Sequence, residues 1–158
     1  IKGSVIFVLK RLCCMLLICA FIFSSCLPVF SEESRSADEI LAAILAEFDM
    51  EDGYCYGTER DAIYPLTDAL LERMFVGERL DDLRYVDSMA VYFSRRYSER
   101  EIIVIRLLDM SHRKAVMALL LEKAKKKENA VVFASGVYLY LLCTEQNEAI
   151  RGYLSVKN

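Results

Sequence analysis

Ser111-His112-Arg113-Lys114 carries the Ser-x-x-Lys spacing, which lets a lysine amine lie one helical turn from a serine hydroxyl and help activate it. Penicillin-recognising enzymes use that pair together with Ser-Asp-Asn and Lys-Thr-Gly motifs, and this sequence contains neither. Ser111 is therefore expected to act as the N-cap of a helix. His112 is the only histidine. A histidine-centred zinc site needs several nitrogen or sulfur ligands at workable spacing, and none lie near it in sequence, so a solvated side chain is expected. A nucleophile–base pair of His112 with Cys55 or Cys143 is the weaker reading. Asp49, Glu51 and Asp52 invite a calcium loop, but an EF-hand counted from Asp49 needs Gly and Glu where Tyr54 and Arg60 stand. Phosphate-binding glycine loops and the Gly-x-Ser-x-Gly elbow are absent. No catalytic residue, metal ligand or cofactor is assigned, and the chain leans away from being an enzyme.

Two residue groups suit contact rather than chemistry. Tyr54, Tyr56 and Tyr64 gather around the acidic stretch, while Tyr138 and Tyr140 share one face of an expected strand. Tyrosine offers a large rigid area with a polar tip, so these five form the candidate interaction surface. Lys123, Lys125, Lys126 and Lys127 could touch anionic lipid headgroups, although a solvated helix end is the plainer reading.

The elements that would position these residues begin after residue 31. Residues 12–30 carry no charge, Lys10-Arg11 precedes them, and small residues follow the apolar stretch, which is the pattern of a secretory signal. Three fates are open. Phe23-Ser24-Ser25-Cys26 could be a lipoprotein cleavage site with Cys26 acylated, signal peptidase could cut after Ser31, or the segment could remain as an uncleaved anchor. Each exports the remainder. Of the six cysteines, only Cys55 and Cys143 then lie in the exported part, where pairing and two free thiols are both open. Removing Lys2, Lys10 and Arg11 from the 20 basic residues leaves 17 against 23 acidic, a net of −6. Such a charge gives no reason to expect nucleic acid.

Residues 32–36 read as a tether and 37–158 as one domain. Ser36-Ala37-Asp38-Glu39 matches a capping box, and Ile40, Leu41, Ile44, Leu45 and Phe48 follow at helical spacing, so a helix over 37–48 is expected. The stretch 49–60 reads as a loop, and a helix over 66–75 follows Pro65. Alternation over 88–95 and the β-branched run 101–108 predict a hairpin. A helix from Ser111 presents Ala115, Val116, Leu119, Leu120 and Ala124 on one face. Runs 130–135 and 137–143, separated by Gly136, predict a second hairpin before a last helix over 145–154. The expected fold is α+β: a four-stranded antiparallel sheet of two hairpins with helices packed on one face, preceded by an N-terminal signal or anchor helix.

From about Ser36 to Leu154 this order resembles an uncharacterised family of bacterial lipoproteins, domain-of-unknown-function family 4358. The resemblance rests on the leader, the early amphipathic helix, Met89-Ala90-Val91-Tyr92-Phe93 with Ile102-Ile103-Val104-Ile105, and Gly136-Val137-Tyr138-Leu139-Tyr140-Leu141-Leu142 after the lysine-rich helix. The linker between Lys127 and Ala130 is shorter than the family's. The resemblance implies export, bacterial origin and fold, and it implies no activity. The expected protein is a membrane-tethered envelope module at the extracytoplasmic face, or a secreted one, contacting a protein or cell-wall partner. The alternative is a small extracytoplasmic enzyme or ligand-binding protein with a carboxylate-lined site including Asp49, Glu51 and Asp52.

Overall fold

The computed structural model describes residues 35–59, 62–75 and 80–157. The chain divides into two units, Ile1–Ser34 and Arg35–Asn158, and every described residue belongs to the second. The expected leader, its helix and Cys26 lie outside the described residues. No helix among those described is long and apolar enough to cross a membrane.

Helix α1 spans Ala37–Glu47. Its capping box forms as expected: the Glu39 amide donates to Ser36 Oγ at 3.2 Å and the Ser36 amide to Glu39 Oε2 at 2.8 Å. Arg35 and Ser36, expected in the tether, are thus part of the folded unit. The Ala37 amide donates to Ser88 Oγ at 2.9 Å, fixing the helix start against the sheet. Ile40, Leu41 and Ile44 fill its buried stripe.

The sheet has six strands rather than the expected four, in the order β2-β1-β3-β4-β6-β5. These are β1 (Gly53–Gly57), β2 (Tyr64–Pro65), β3 (Val86–Ser94), β4 (Glu101–Leu107), β5 (Val131–Ser135) and β6 (Tyr138–Cys143). Both expected hairpins form, β3 with β4 and β5 with β6, and β4 pairs antiparallel with β6 to join them. One extra strand, β1, comes from the stretch 49–60 expected to be a loop, and the other, β2, follows that stretch. Gly53–Gly57 lies antiparallel along β3, pairing Tyr54 with Phe93 and Tyr56 with Val91, and β2 adds parallel to β1.

Helices cover both faces, not one. On the first face α1 and the C-terminal helix α4 (Asn147–Lys157) pack on Ala90, Tyr92, Ile102, Val104, Tyr140 and Leu142. On the second, Phe75 at the end of α2 (Asp68–Met74) and α3 (Arg113–Ala124) cover Met89, Val91, Ile103, Ile105, Leu139 and Leu141. Successive side chains on a strand point to opposite faces. A run such as Ile102-Ile103-Val104-Ile105 therefore requires cover on both sides, and all four residues are 0% exposed.

Candidate functional site

The tyrosines expected to form one surface separate into two environments. Tyr54 and Tyr56 leave β1 on the same side as Phe93, and Tyr64 on β2 leans against both. Ring centroids lie 6.1 Å apart for Tyr54–Tyr64, 5.5 Å for Tyr56–Tyr64 and 6.0 Å for Tyr56–Phe93. Tyr54 and Tyr64 stay 38% and 44% exposed, and neighbouring Ile63 is 79% exposed. The Arg95 guanidinium sits 5.0 Å above the Tyr54 ring and is held there by Asp52 Oδ2 at 2.7 Å. The result is an aromatic patch with one positioned cation at its border.

Tyr138 and Tyr140 are core residues, contrary to the expectation that they would be surface. They do share a face of β6, but they are 8% and 0% exposed beneath the helices. The Tyr138 hydroxyl donates to the Arg35 carbonyl at 2.7 Å, and Tyr140 stacks on Phe133 with centroids 4.8 Å apart. β6 lies inside the sheet between β4 and β5, and the helices packed on the sheet remove its side chains from solvent.

The acidic stretch does not converge on a cation. Asp49 occupies a turn with φ of 44° just past α1. Glu51 pairs with Arg100 at 3.1 Å, while Asp52 is committed to Arg95. Burial disfavours the charged form of Glu51, but hydrogen bonds from Ser94 and Arg100 outweigh it and hold the carboxyl below its ordinary value. Among the described residues no group of three or more His, Cys, Asp or Glu is placed to hold a metal ion.

Within the Ser-x-x-Lys motif, neither Ser111 nor His112 matches the expectation. Ser111 lies in a 3₁₀ turn, Met110–His112, where its amide donates to Asp109 Oδ1 at 2.6 Å; Asp109 is the cap of that turn. The N-cap position of α3 falls to His112, without a side-chain hydrogen bond. His112 is half-buried rather than solvated, its ring stacked on Tyr85 with centroids 3.2 Å apart and planes 3° from parallel.

Cys55 and Cys143 are free thiols. Cys55 packs with the α1 and α4 face and Cys143 with the α3 face, and two strands, β3 and β4, separate β1 from β6. Strands lie about 4.8 Å apart, so the backbones are roughly 14 Å from each other, beyond disulfide reach. Burial pushes both thiols above their ordinary values.

The lysine-rich end of α3 turns partly inward. Glu101, which opens β4, is 0% exposed. Lys123 Nζ lies 3.1 Å from its Oε1 and Lys127 Nζ lies 2.7 Å from its Oε2. Each ammonium also donates to a carbonyl, Lys123 to Met74 at 3.1 Å and Lys127 to Glu99 at 3.2 Å. Neither Glu101 oxygen receives a well-angled hydrogen bond. The charge is balanced by ion-pair proximity. Sequence reading missed this triad because Glu101 looked like the polar start of an apolar strand; the available signal was the four-residue interval between Lys123 and Lys127.

Past Glu101, at the same end of the sheet, an open cleft of about 1080 Å³ separates the β3–β4 turn from the chain that leaves β6. Its wall is braced by Asn147, whose Oδ1 accepts from the Thr144 amide at 2.9 Å and hydroxyl at 3.0 Å and whose Nδ2 donates to the Asn129 carbonyl at 2.6 Å. Arg100, which lines the cleft, pairs with Glu145 on its wall and with Glu51 outside it. No protein-family model matches this chain, and no curated protein or solved structure matches it.

Proposed function

We propose that this chain is an exported, membrane-tethered bacterial envelope protein whose folded unit is a non-catalytic interaction module. The observation that carries the reading is the aromatic patch of Tyr54, Tyr56, Tyr64 and Phe93, bordered by Arg95. Large aromatic side chains beside a fixed arginine are the residue types that dominate the energy of protein contacts. Of the carboxylates named for the alternative, enzyme-like site, Glu51 and Asp52 are each tied to an arginine. The leader, with its uncharged stretch 12–30, and Cys26 supply the tether in this reading, and the resemblance to family 4358 belongs to it.

The test has two arms. In intact cells, a photoreactive benzoylphenylalanine replacing Tyr64 is expected to give a discrete crosslinked product that the same group at exposed Gly152 does not. Equal products at both positions would remove the patch as an interface. An alkyne fatty acid is expected to label the wild-type chain and not Cys26→Ala; equal labelling, or none, would remove the lipid tether.

A further inference from the structure

The edge of the sheet opposite the tyrosine patch is unusual for what it lacks. Strand β5, Val131-Val132-Phe133-Ala134-Ser135, pairs with β6 on one side and with no strand on the other among the described residues. Natural edge strands are commonly blunted by charge, proline or a bulge. This one has no charged residue, no proline and an unbroken register.

The hairpin also dictates which backbone groups are free. Ser135 pairs with Tyr138 across the two-residue connection Gly136-Val137, where Gly136 takes a φ of 55°. In such a hairpin the closing pair exchanges hydrogen bonds, and the exchange then alternates along the ladder. Ser135, Phe133 and Val131 thus bond inward to β6. Val132 and Ala134 direct both N–H and C=O outward.

The start of this edge runs into the cleft, which Ala130 and Val131 help to line. Six charged side chains lie around it: Arg96 and Arg100 against Glu99, Glu128, Glu145 and Glu148, a net of −2. Arg100 and Glu145 neutralise each other. Glu99, Glu128 and Glu148 have no ion pair with any described residue, and all three are exposed.

We propose that the open edge of β5 and the acidic cleft at its start form one docking site for an extended polypeptide segment, which adds as a seventh strand and places a cationic residue in the cleft. Backbone pairing with Val132 and Ala134 supplies affinity, and the unpaired carboxylates choose the charge at the segment's end. A second copy of this chain fits less well. Two five-residue strands paired about a two-fold axis at Phe133 cover only a few hundred Å² by themselves, against roughly 1,200 Å² or more for a stable interface, and such pairing leaves the cleft unused. The site lies on the edge strand opposite β2, so its failure and the failure of the tyrosine interface are separate results.

The test uses the full chain in detergent and a fluorescein-labelled hexapeptide amide, Lys-Thr-Val-Thr-Val-Thr, read by anisotropy. Saturable binding is expected. Replacing the peptide's lysine by glutamate should weaken it about tenfold, as should the paired reversal Glu128→Lys with Glu148→Lys. Ala134→Pro, which removes an outward N–H that β6 does not use, should also cost about tenfold. N-methylation of alternate peptide residues tests the same pairing without altering the protein, should that variant fail to fold. Absence of saturable binding overturns the proposal, as does equal affinity for the lysine, glutamate and N-methylated peptides. A sedimenting dimer that Ala134→Pro dissociates would give the edge to a second copy and overturn it as well.

Discussion

Stranding the buried carboxylate of Glu101 should cost far more than removing it together with its partners. Glu101 is 0% exposed, and its two cations, with 11% and 16% side-chain exposure, come from a single stretch of chain. Breaking a buried pair so that one charge is left alone costs about 3–5 kcal/mol, whereas replacing a whole buried ionic group by apolar side chains is often neutral or stabilising. Lys123→Met and Lys127→Met each leave one cation in place, so each single change is expected to cost about 1–2 kcal/mol. Lys123→Met carries the extra loss of its bond to the Met74 carbonyl and of its place 5.6 Å from the Phe75 ring. The double change leaves the carboxylate unpaired and should cost about 3–5 kcal/mol, a lowering of Tm of roughly 10–20 °C for a unit of this size. Adding Glu101→Met to the double variant should recover most of that loss, to within about 1 kcal/mol of wild type. Urea unfolding followed by circular dichroism reads these values as shifts in midpoint at constant slope. If the triple variant is as unstable as the double, the lysines act through packing and not through the buried charge, and the reasoning is refuted.

Three further outcomes follow from other parts of the fold. Burial, with a smaller contribution from Glu59, raises the Asp38 carboxyl from 3.8 to about 6, so the folded state holds the proton more tightly than the unfolded chain. Stability should therefore fall as pH rises from about 4 through 6, by up to about 3 kcal/mol unscreened and about 1–1.5 kcal/mol after screening at this half-open position; Asp38→Asn should flatten that slope, and an unchanged slope in urea midpoints between pH 4 and 7 would count against it. A methyl group at Gly53 would meet the Tyr92 ring and the Phe93 carbonyl, so Gly53→Ala should cost about 1–3 kcal/mol in thermal unfolding. Maleimide labelling of oxidised, unreduced protein should find Cys55 and Cys143 both free, with half-buried Cys55 reacting faster than Cys143, which is 5% exposed; a Cys55–Cys143 crosslinked peptide would contradict the strand order.

Much of the local structure was legible because its causes are local. The Ser36–Glu39 capping box, the stripe of Ile40, Leu41 and Ile44, and both hairpins are written within a few residues of where they act. The strand β1 was not legible. Gly-Tyr-Cys-Tyr-Gly is short, begins and ends in glycine, and forms because the edge of β3 offers hydrogen bonds along its length. The candidate surface was half legible for a related reason: tyrosine suits a surface and a half-buried strand equally, and only the neighbours of β1 and β6 separate Tyr54 and Tyr64 from Tyr138 and Tyr140.

The sequence by itself determined that an uncharged stretch, residues 12–30, precedes an acidic α+β unit, and that the unit lacks a complete set of known catalytic motifs. It determined these because charge runs, helical period and strand period are properties of adjacent residues. Tertiary structure alone decided that the sheet has six strands with helices on both faces, that Lys123 and Lys127 close on Glu101, and that Cys55 and Cys143 face apart. It alone left β5 with an open edge beside an acidic cleft. Each of those depends on which residue lies across the sheet or beneath a helix, and burial and charge pairing are settled between segments that the chain places far apart.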